Sequence, residues 1–194
     1  MPRKKNCRDI TDRSSKRLLT EQPLFLFFIH SCRLYYNNCC MKWLNDLLGK
    51  KIYQGEKVDL KQEYIRSPSA FNNYIPSVIF GIYEHGTSNK AGEIDLRLGM
   101  DDELYYAGQV GYRIYEKYRG HHYAYDACRM LFEIAHDEYD MDELVITCSP
   151  ENMPSRLTLE RLGGVFKENI DVPEWHWLYK RGEKNKNVYV FPLN

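Results

Sequence analysis

The chain has 194 residues, enough for one domain of ordinary size and too few for two well-formed ones. Hydrophobic residues make up 43% and charged residues 28%, which excludes long disorder, collagen-like repeats and a disulfide-stapled miniprotein. Lys plus Arg and Asp plus Glu both number 27, so the summed charge makes no case for nucleic acid or an anionic membrane as a partner.

The charge is unevenly placed. The first 40 residues hold eight basic residues (Arg3, Lys4, Lys5, Arg8, Arg13, Lys16, Arg17, Arg33) against three acids (Asp9, Asp12, Glu21), and four of the six cysteines. Their one apolar run, Leu24 to Ile29, is short of the ~20 residues that span a bilayer and of the ~7–15 of an export signal. At Met41 composition, charge sign and periodicity change together. Residues 1–40 are therefore expected to be a disordered or mis-assigned extension, with translation starting at Met41 as one reading and an added helix packing Leu24, Phe25, Phe27 and Phe28 as the other. Residues 41–194 are expected to form the domain. Cys128 and Cys148 sit inside apolar patterns and read as buried free thiols in a reducing, cytoplasmic setting.

Leu44, Leu47 and Leu48 give one helical stripe that Gly49 can end. Val78 to Tyr83 is apolar and β-branched, Glu84 to Asn89 is turn-rich, and Gly92 to Leu98 alternates at period two, a pattern that predicts a hairpin. Val110 to Tyr115 is a further strand. From Tyr123 the period becomes helical, with Ala124, Ala127, Cys128, Leu131, Phe132 and Ala135 on one face. Leu144 to Cys148 reads as a buried strand, Pro154 to Leu162 as a helix ended by Gly163 and Gly164, and Val165 to Val172 with Val188 to Phe191 as a last strand pair. The order implies a mixed sheet with an inner strand–helix–strand unit.

The junction IYEKYRGHHYAYDA carries the first chemistry. A strand runs through Arg119 and Gly120 into the long helix, and such a turn aims unpaired N–H groups and the helix dipole at an anion. Arg119 adds charge-assisted bonds, and Gly120 lets backbone approach closely. His121, His122, Cys128 and His136 do not converge on a helix, so no metal site is expected.

Residues 108–164, GQVGYRIYEKYRGHHYAYDACRMLFEIA followed by DELVITCSPENMPSRLTLERLGG, resemble the GNAT N-acetyltransferase superfamily, closest to its bacterial branch with a GEIDLR strand. The resemblance covers residues 51–192. It implies an α/β fold with a mixed, largely antiparallel central sheet of about six to seven strands flanked by helices, with splayed middle strands. It implies that acetyl-CoA, as co-substrate, lays its pyrophosphate on Arg119, Gly120, His121, His122, Tyr123 and Ala124, with His122 where Gly is usual. Tyr112, Arg113 and Ile114 would pair with the pantetheine amides. Asn152 and Ser155 match the family's N-x-x-S element, Asn152 bonding the cofactor and Ser155 protonating the leaving sulfur. The Tyr that many relatives use falls here at Leu159. Both Asn152 and Ser155 also suit a plain helix cap.

The general base is open between Glu93, Asp95 and a water relay. Glu93 and Asp95 alternate with Ile94 and Leu96 and so share one strand face. Trp175, His176, Trp177 and Tyr179 fall in a loop and suit either an acceptor site or packing. The implied activity is acetyl transfer to a primary amine of a small molecule or peptide, with a homodimer left open. A non-catalytic acyl-CoA-binding or regulatory module is the rival reading, and a phosphate-binding protein unrelated to acyl transfer is a third.

Overall fold

The computed structural model describes residues 51–67 and 75–193, all within the compact unit Met41–Asn194. The extension at 1–40 and the stripe at Leu44–Leu48 lie outside the described residues. Eight strands are described: β1 (Ile52–Gln54), β2 (Val58–Arg66), β3 (Ser77–Glu84), β4 (Lys90–Arg97), β5 (Val110–Ile114), β6 (Glu143–Cys148), β7 (Val165–Asp171) and β8 (Asn185–Pro192). The helices are α1 (Asp102–Ala107), α2 (Tyr123–Tyr139), α3 (Met153–Arg161) and the single turn α4 (Trp177–Lys180), with a 3-10 turn at Glu116–Tyr118.

The strands form two sheets, β1-β2-β3-β4-β5 and β6-β8-β7, and every pairing among the described residues is antiparallel. The expected hairpin is β3–β4, closed by Gly86 at φ 70° and by Thr87 N–H donating to Glu84 O at 3.0 Å. The unit β5–α2–β6 has the expected order, but β5 and β6 belong to different sheets. β2 escaped the period-two reading because Asp59 and Gln62 are buried in it and a bulge between Gln62 and Tyr64 shifts its phase. α1 escaped because six residues with none buried carry no stripe; Asp101 starts it by accepting from Leu104 N–H at 2.6 Å.

α2 lays Ala127, Cys128, Leu131, Ile134 and Ala135 on the core formed by Leu60, Phe80, Ile82, Ile94 and Leu96. Leu131 is fully enclosed, worth ~1.5–3 kcal/mol of transfer free energy on burial. Phe132 lies at the edge of this face and meets Phe191 of β8 at 4.9 Å between ring centroids.

One residue joins the two sheets. Gln109 donates its N–H to Val145 O at 2.7 Å, accepts Val145 N–H on its side-chain oxygen at 2.8 Å, and donates its side-chain amide to Gly99 O at 3.1 Å. The preceding Gly108 is required twice: its φ is 75°, and a Cβ there would stand 2.9 Å from Thr147 N. Past this seam no ladder connects β5 to β6, and the strands part.

Candidate active site at the parting of two strands

β5 is bonded to β4 along one edge, and two bonds fix its phase. Tyr115 N–H donates to Ala91 O at 2.9 Å, and Arg97 N–H donates to Gln109 O at 2.8 Å. In an antiparallel ladder residues that bond across alternate with residues that do not. The main-chain groups of Gly111 and Arg113 therefore turn to β4, and those of Val110, Tyr112 and Ile114 turn to the gap. The Ile114 carbonyl accepts from Arg119 Nε at 3.3 Å, which leaves its N–H and both groups of Tyr112 to meet a ligand's amides. Arg113 differs from its two neighbours. Its backbone is held by β4, and it stands exposed opposite Glu93.

At the far end of β5 the chain passes through Arg119, Gly120 at φ 85° and His122 at φ 62°, ψ 17°, and starts α2 without any side-chain cap. A Cβ on Gly120 would meet nothing within 4 Å, so the turn is open. The backbone returns to the His122 carbonyl from Tyr125 N–H at 2.9 Å and Asp126 N–H at 3.2 Å. The N–H groups of Tyr123 and Ala124 take no partner among the described residues, as an anion site at a helix start requires. His121 stacks on Tyr123 at 5.4 Å, and the Tyr123 hydroxyl donates to Glu84 Oε1 at 3.0 Å, pinning the start of α2 to the end of β3.

Side chains of β5 alternate between two faces. Tyr112 projects to the side of α2 and α3, where its hydroxyl is 2.7 Å from Ser155 Oγ. Ser155 is in the first turn of α3, and its N–H donates to Asn152 Oδ1 at 3.3 Å. Asn152 is thus the N-cap of α3, with Pro154 in the first turn. Leu159 is fully buried and faces the core.

Gly111 faces the other way, beneath Asp95 of β4, its register partner. Asp95 Oδ2 lies 3.1 Å from Arg97 Nε, and Arg97 Nη1 is spent on Ala107 O at 3.2 Å and Gly108 O at 2.6 Å. Burial pushes the Asp95 carboxyl above the usual carboxylate range against the pull of Arg97 and Arg66. Glu93 shares this face but is paired with Lys90 at 2.7 Å, which holds its carboxyl below the usual range. The structure therefore separates the two carboxylates that the sequence left equivalent.

The aromatic loop after β7 packs on α1. His176 is fully buried, donates Nε2–H to Glu103 O at 3.1 Å and accepts Leu178 N–H on Nδ1 at 3.2 Å. Tyr106 and Trp175 meet edge to face at 6.4 Å, and Trp175 stays 62% exposed. Among the described residues no group of His, Cys, Asp and Glu side chains could hold a metal ion, and no helix is long and apolar enough to cross a membrane. Sequence reasoning missed Gln109, Arg97 and the Tyr112 hydroxyl. The first two act through contacts remote in sequence, whereas strand parity alone placed Tyr112 on the opposite face from Gly111.

The family model of the acetyltransferase (GNAT) domain matches residues 36–165. The chain belongs to the GNAT acetyltransferase family. No curated protein matches the sequence. Among solved structures, this GNAT chain is similar to the apo ribosomal L7/L12 alpha-N-protein acetyltransferase RimL, at 12% identity over 74% of this chain and 94% of that one, with a TM-score of 0.53. It is also similar to the microcin C7 self-immunity acetyltransferase MccE solved with acetyl-CoA and AMP, at 20% identity over 60% of this chain, TM-score 0.47. A GNAT-family acetyltransferase from Bacillus anthracis matches at 20% identity over 59% of this chain, TM-score 0.48. The GNAT chain spans 61% of the second structure and 65% of the third, less than two-thirds of either. At these identities the likeness speaks for the fold alone. The two antiparallel sheets flanked by helices match that of the first.

Proposed function

We propose that this GNAT domain transfers an acetyl group from acetyl-CoA to a primary amine of a small molecule or peptide, in a cytoplasmic setting. The observation that carries the reading is the division of labour across β5. One face offers a hydroxyl pair, Tyr112 and Ser155, and the other offers Asp95 with a raised pKa, while the strand's free amides face the gap between them. Acyl transfer from a thioester needs those two services on opposite sides of the acyl carbon: removal of a proton from the attacking amine and stabilisation of the leaving sulfur.

Tyr112 and Ile114 orient the pantetheine arm through their backbone groups, and the open turn from Arg119 to Ala124 receives the pyrophosphate. Acetyl-CoA supplies the activated acyl carbon. Asp95 accepts the amine's proton, since a carboxylate whose pKa is raised by burial is a better base than Glu93, held low by Lys90. Ser155 directs its hydroxyl at the sulfur. Asn152 orients Ser155 by capping α3 and turns its remaining amide to the ligand.

The test is release of CoA thiol with a panel of small amines and peptide N-termini, alongside calorimetric titration of acetyl-CoA. Turnover of one acceptor class, lowered by Asp95→Asn and Ser155→Ala, is the expected result. A second reading draws on His122, whose side chain stands at the anion turn: a chain that binds acetyl-CoA and acetylates no amine is an acyl-CoA-binding module. Failure to bind acetyl-CoA at all overturns both.

A further inference from the structure

Among the described residues Ser155 Oγ has one partner, the hydroxyl of Tyr112, 2.7 Å away across the gap between α3 and β5. We propose that Tyr112 is a positioning residue: its hydroxyl donates to Ser155 Oγ, so that the Ser155 O–H is left as the free donor toward the leaving sulfur. This rests on the reading of Ser155 given above. A serine hydroxyl holds one proton and two lone pairs, and its rotor turns to suit its neighbours. In a helix its proton readily bends back to a main-chain carbonyl, as the Thr158 hydroxyl, one turn further on, does to Pro154 O at 2.8 Å. A donor locked onto Oγ from the far side leaves the serine proton to seek another acceptor, and the gap is where one arrives.

By geometry either hydroxyl can donate, and acidity assigns that role to the phenol. A phenol is a stronger acid than an aliphatic alcohol and the better donor of the two. Burial, with Cys128 and Cys148 nearby, raises the pKa of the Tyr112 phenol against a smaller lowering by its bond with Ser155, so it stays protonated at any working pH. The position seven residues after Asn152, where the resemblance places a phenol, holds the buried Leu159, and the phenol beside Ser155 comes instead from β5. The pair keeps both of its protons throughout. As the N–C bond forms and the C–S bond breaks, the amine's proton leaves to Asp95 and the thiolate carries the negative charge, to which the pair lends a hydrogen bond. Neither hydroxyl is acidic enough to surrender a proton to a thiolate whose conjugate thiol has a pKa near ~8.5.

The experiment uses CoA itself as probe and needs no acceptor. The thiol of bound CoA is titrated by thiolate absorbance in the full chain and in four variants. Wild type is expected to hold the thiol pKa below that of free CoA. Ser155→Ala raises it by about one unit, a ten-fold fall in thiolate fraction at fixed pH. Tyr112→Phe raises it in the same direction, and the double variant shifts no further than Ser155→Ala alone, because the two groups act in series. Ser155→Thr, which keeps Oγ, titrates as wild type. CoA affinity measured below the titration reports damage to the site separately from the thiol pKa, which a merely structural Tyr112 would not shift. If Tyr112→Phe titrates as wild type while Ser155→Ala shifts, or the two shifts add, the role of Tyr112 is overturned and that of Ser155 stands. If Ser155→Ala also titrates as wild type, both fall. Should Tyr112→Phe fail to fold, 3-fluorotyrosine at position 112, a stronger donor, must lower the thiol pKa, and an unchanged value overturns the proposal.

Discussion

Asp95 Oδ1 lies directly over Gly111 on the next strand, where a Cβ would come within 2.6 Å of it and within 3.0 Å of the Arg97 guanidinium. The glycine in the GYRI strand is thus the floor of the carboxylate's seat. Gly111→Ala is expected to displace Asp95 from Arg97 and to cut turnover as severely as Asp95→Asn, at little cost in stability, since the atoms a Cβ would meet are the ends of two side chains that can swing aside. Thermal unfolding and thiol release on the same preparation check both, and a variant that turns over normally would separate Asp95 from the chemistry.

The pH profile should carry the signature of Asp95. Its pKa is raised by burial, so the base is protonated and idle at acid pH and becomes competent as pH rises through that value. The acidic limb of kcat/KM is expected to follow this rise, and Asp95→Asn to lose the limb along with ~10²–10⁴ of the rate. Glu93→Gln should leave the limb in place, because Lys90 keeps Glu93 ionised well below it.

His122 takes a left-handed backbone, φ 62° and ψ 17°, that strains any residue with a Cβ. Relief of the strain, less the entropy that glycine adds to the unfolded chain, predicts that His122→Gly stabilises the protein by ~0.5–1 kcal/mol. The melting temperature should rise by a few degrees. Acetyl-CoA affinity should hold or improve, since the N–H groups of the turn are untouched; calorimetry reads this directly.

Asp59 governs acid stability at the opposite end of the sheet. Burial pushes its carboxyl up, but His85 at 2.8 Å and the N–H groups of Gly86 at 3.1 Å and Gly55 at 3.3 Å outweigh it and hold the pKa below the usual range. A depressed carboxyl stabilises the fold above its unfolded pKa, and that stability is lost as pH falls through the folded one. Denaturation monitored from neutral pH down through the carboxylate range should show this loss in wild type, with a flatter acid limb in Asp59→Asn.

Gln109→Ala keeps the main-chain bond to Val145 O but removes the two side-chain bonds, leaving Val145 N–H and Gly99 O without them. Each buried group left unpaired costs ~1–3 kcal/mol, so a stability loss of several kcal/mol in chemical denaturation is expected. Gln109→Glu is expected to lose at least as much at neutral pH, because its carboxylate accepts from Val145 N–H but sets a buried charge with no proton to donate against Gly99 O.

Local pattern carried much of this protein. The β3–β4 hairpin, α2, β6, α3 and the β7–β8 pair are visible in the sequence because each is written in its own period, alternation for a strand half in the core and the 3.6-residue stripe for Ala127 to Ala135. The Arg119–Ala124 turn is equally local: an anion site at a helix start is made by consecutive residues and their main-chain dipoles. What tertiary structure alone decided lies between elements distant along the chain. No pattern around Gln109 announces that it will hold Val145, 36 residues on, and so set where the two sheets join and where they part. Glu93 and Asp95 are equivalent by alternation; only the surroundings brought by folding, Lys90 against one and burial that outweighs Arg97 at the other, drive their acidities apart. Tyr112 and Ser155 are 43 residues apart, and a hydroxyl's partner is a fact of position in space, fixed by the packing of α3 on the core through Leu159 rather than by anything in either segment.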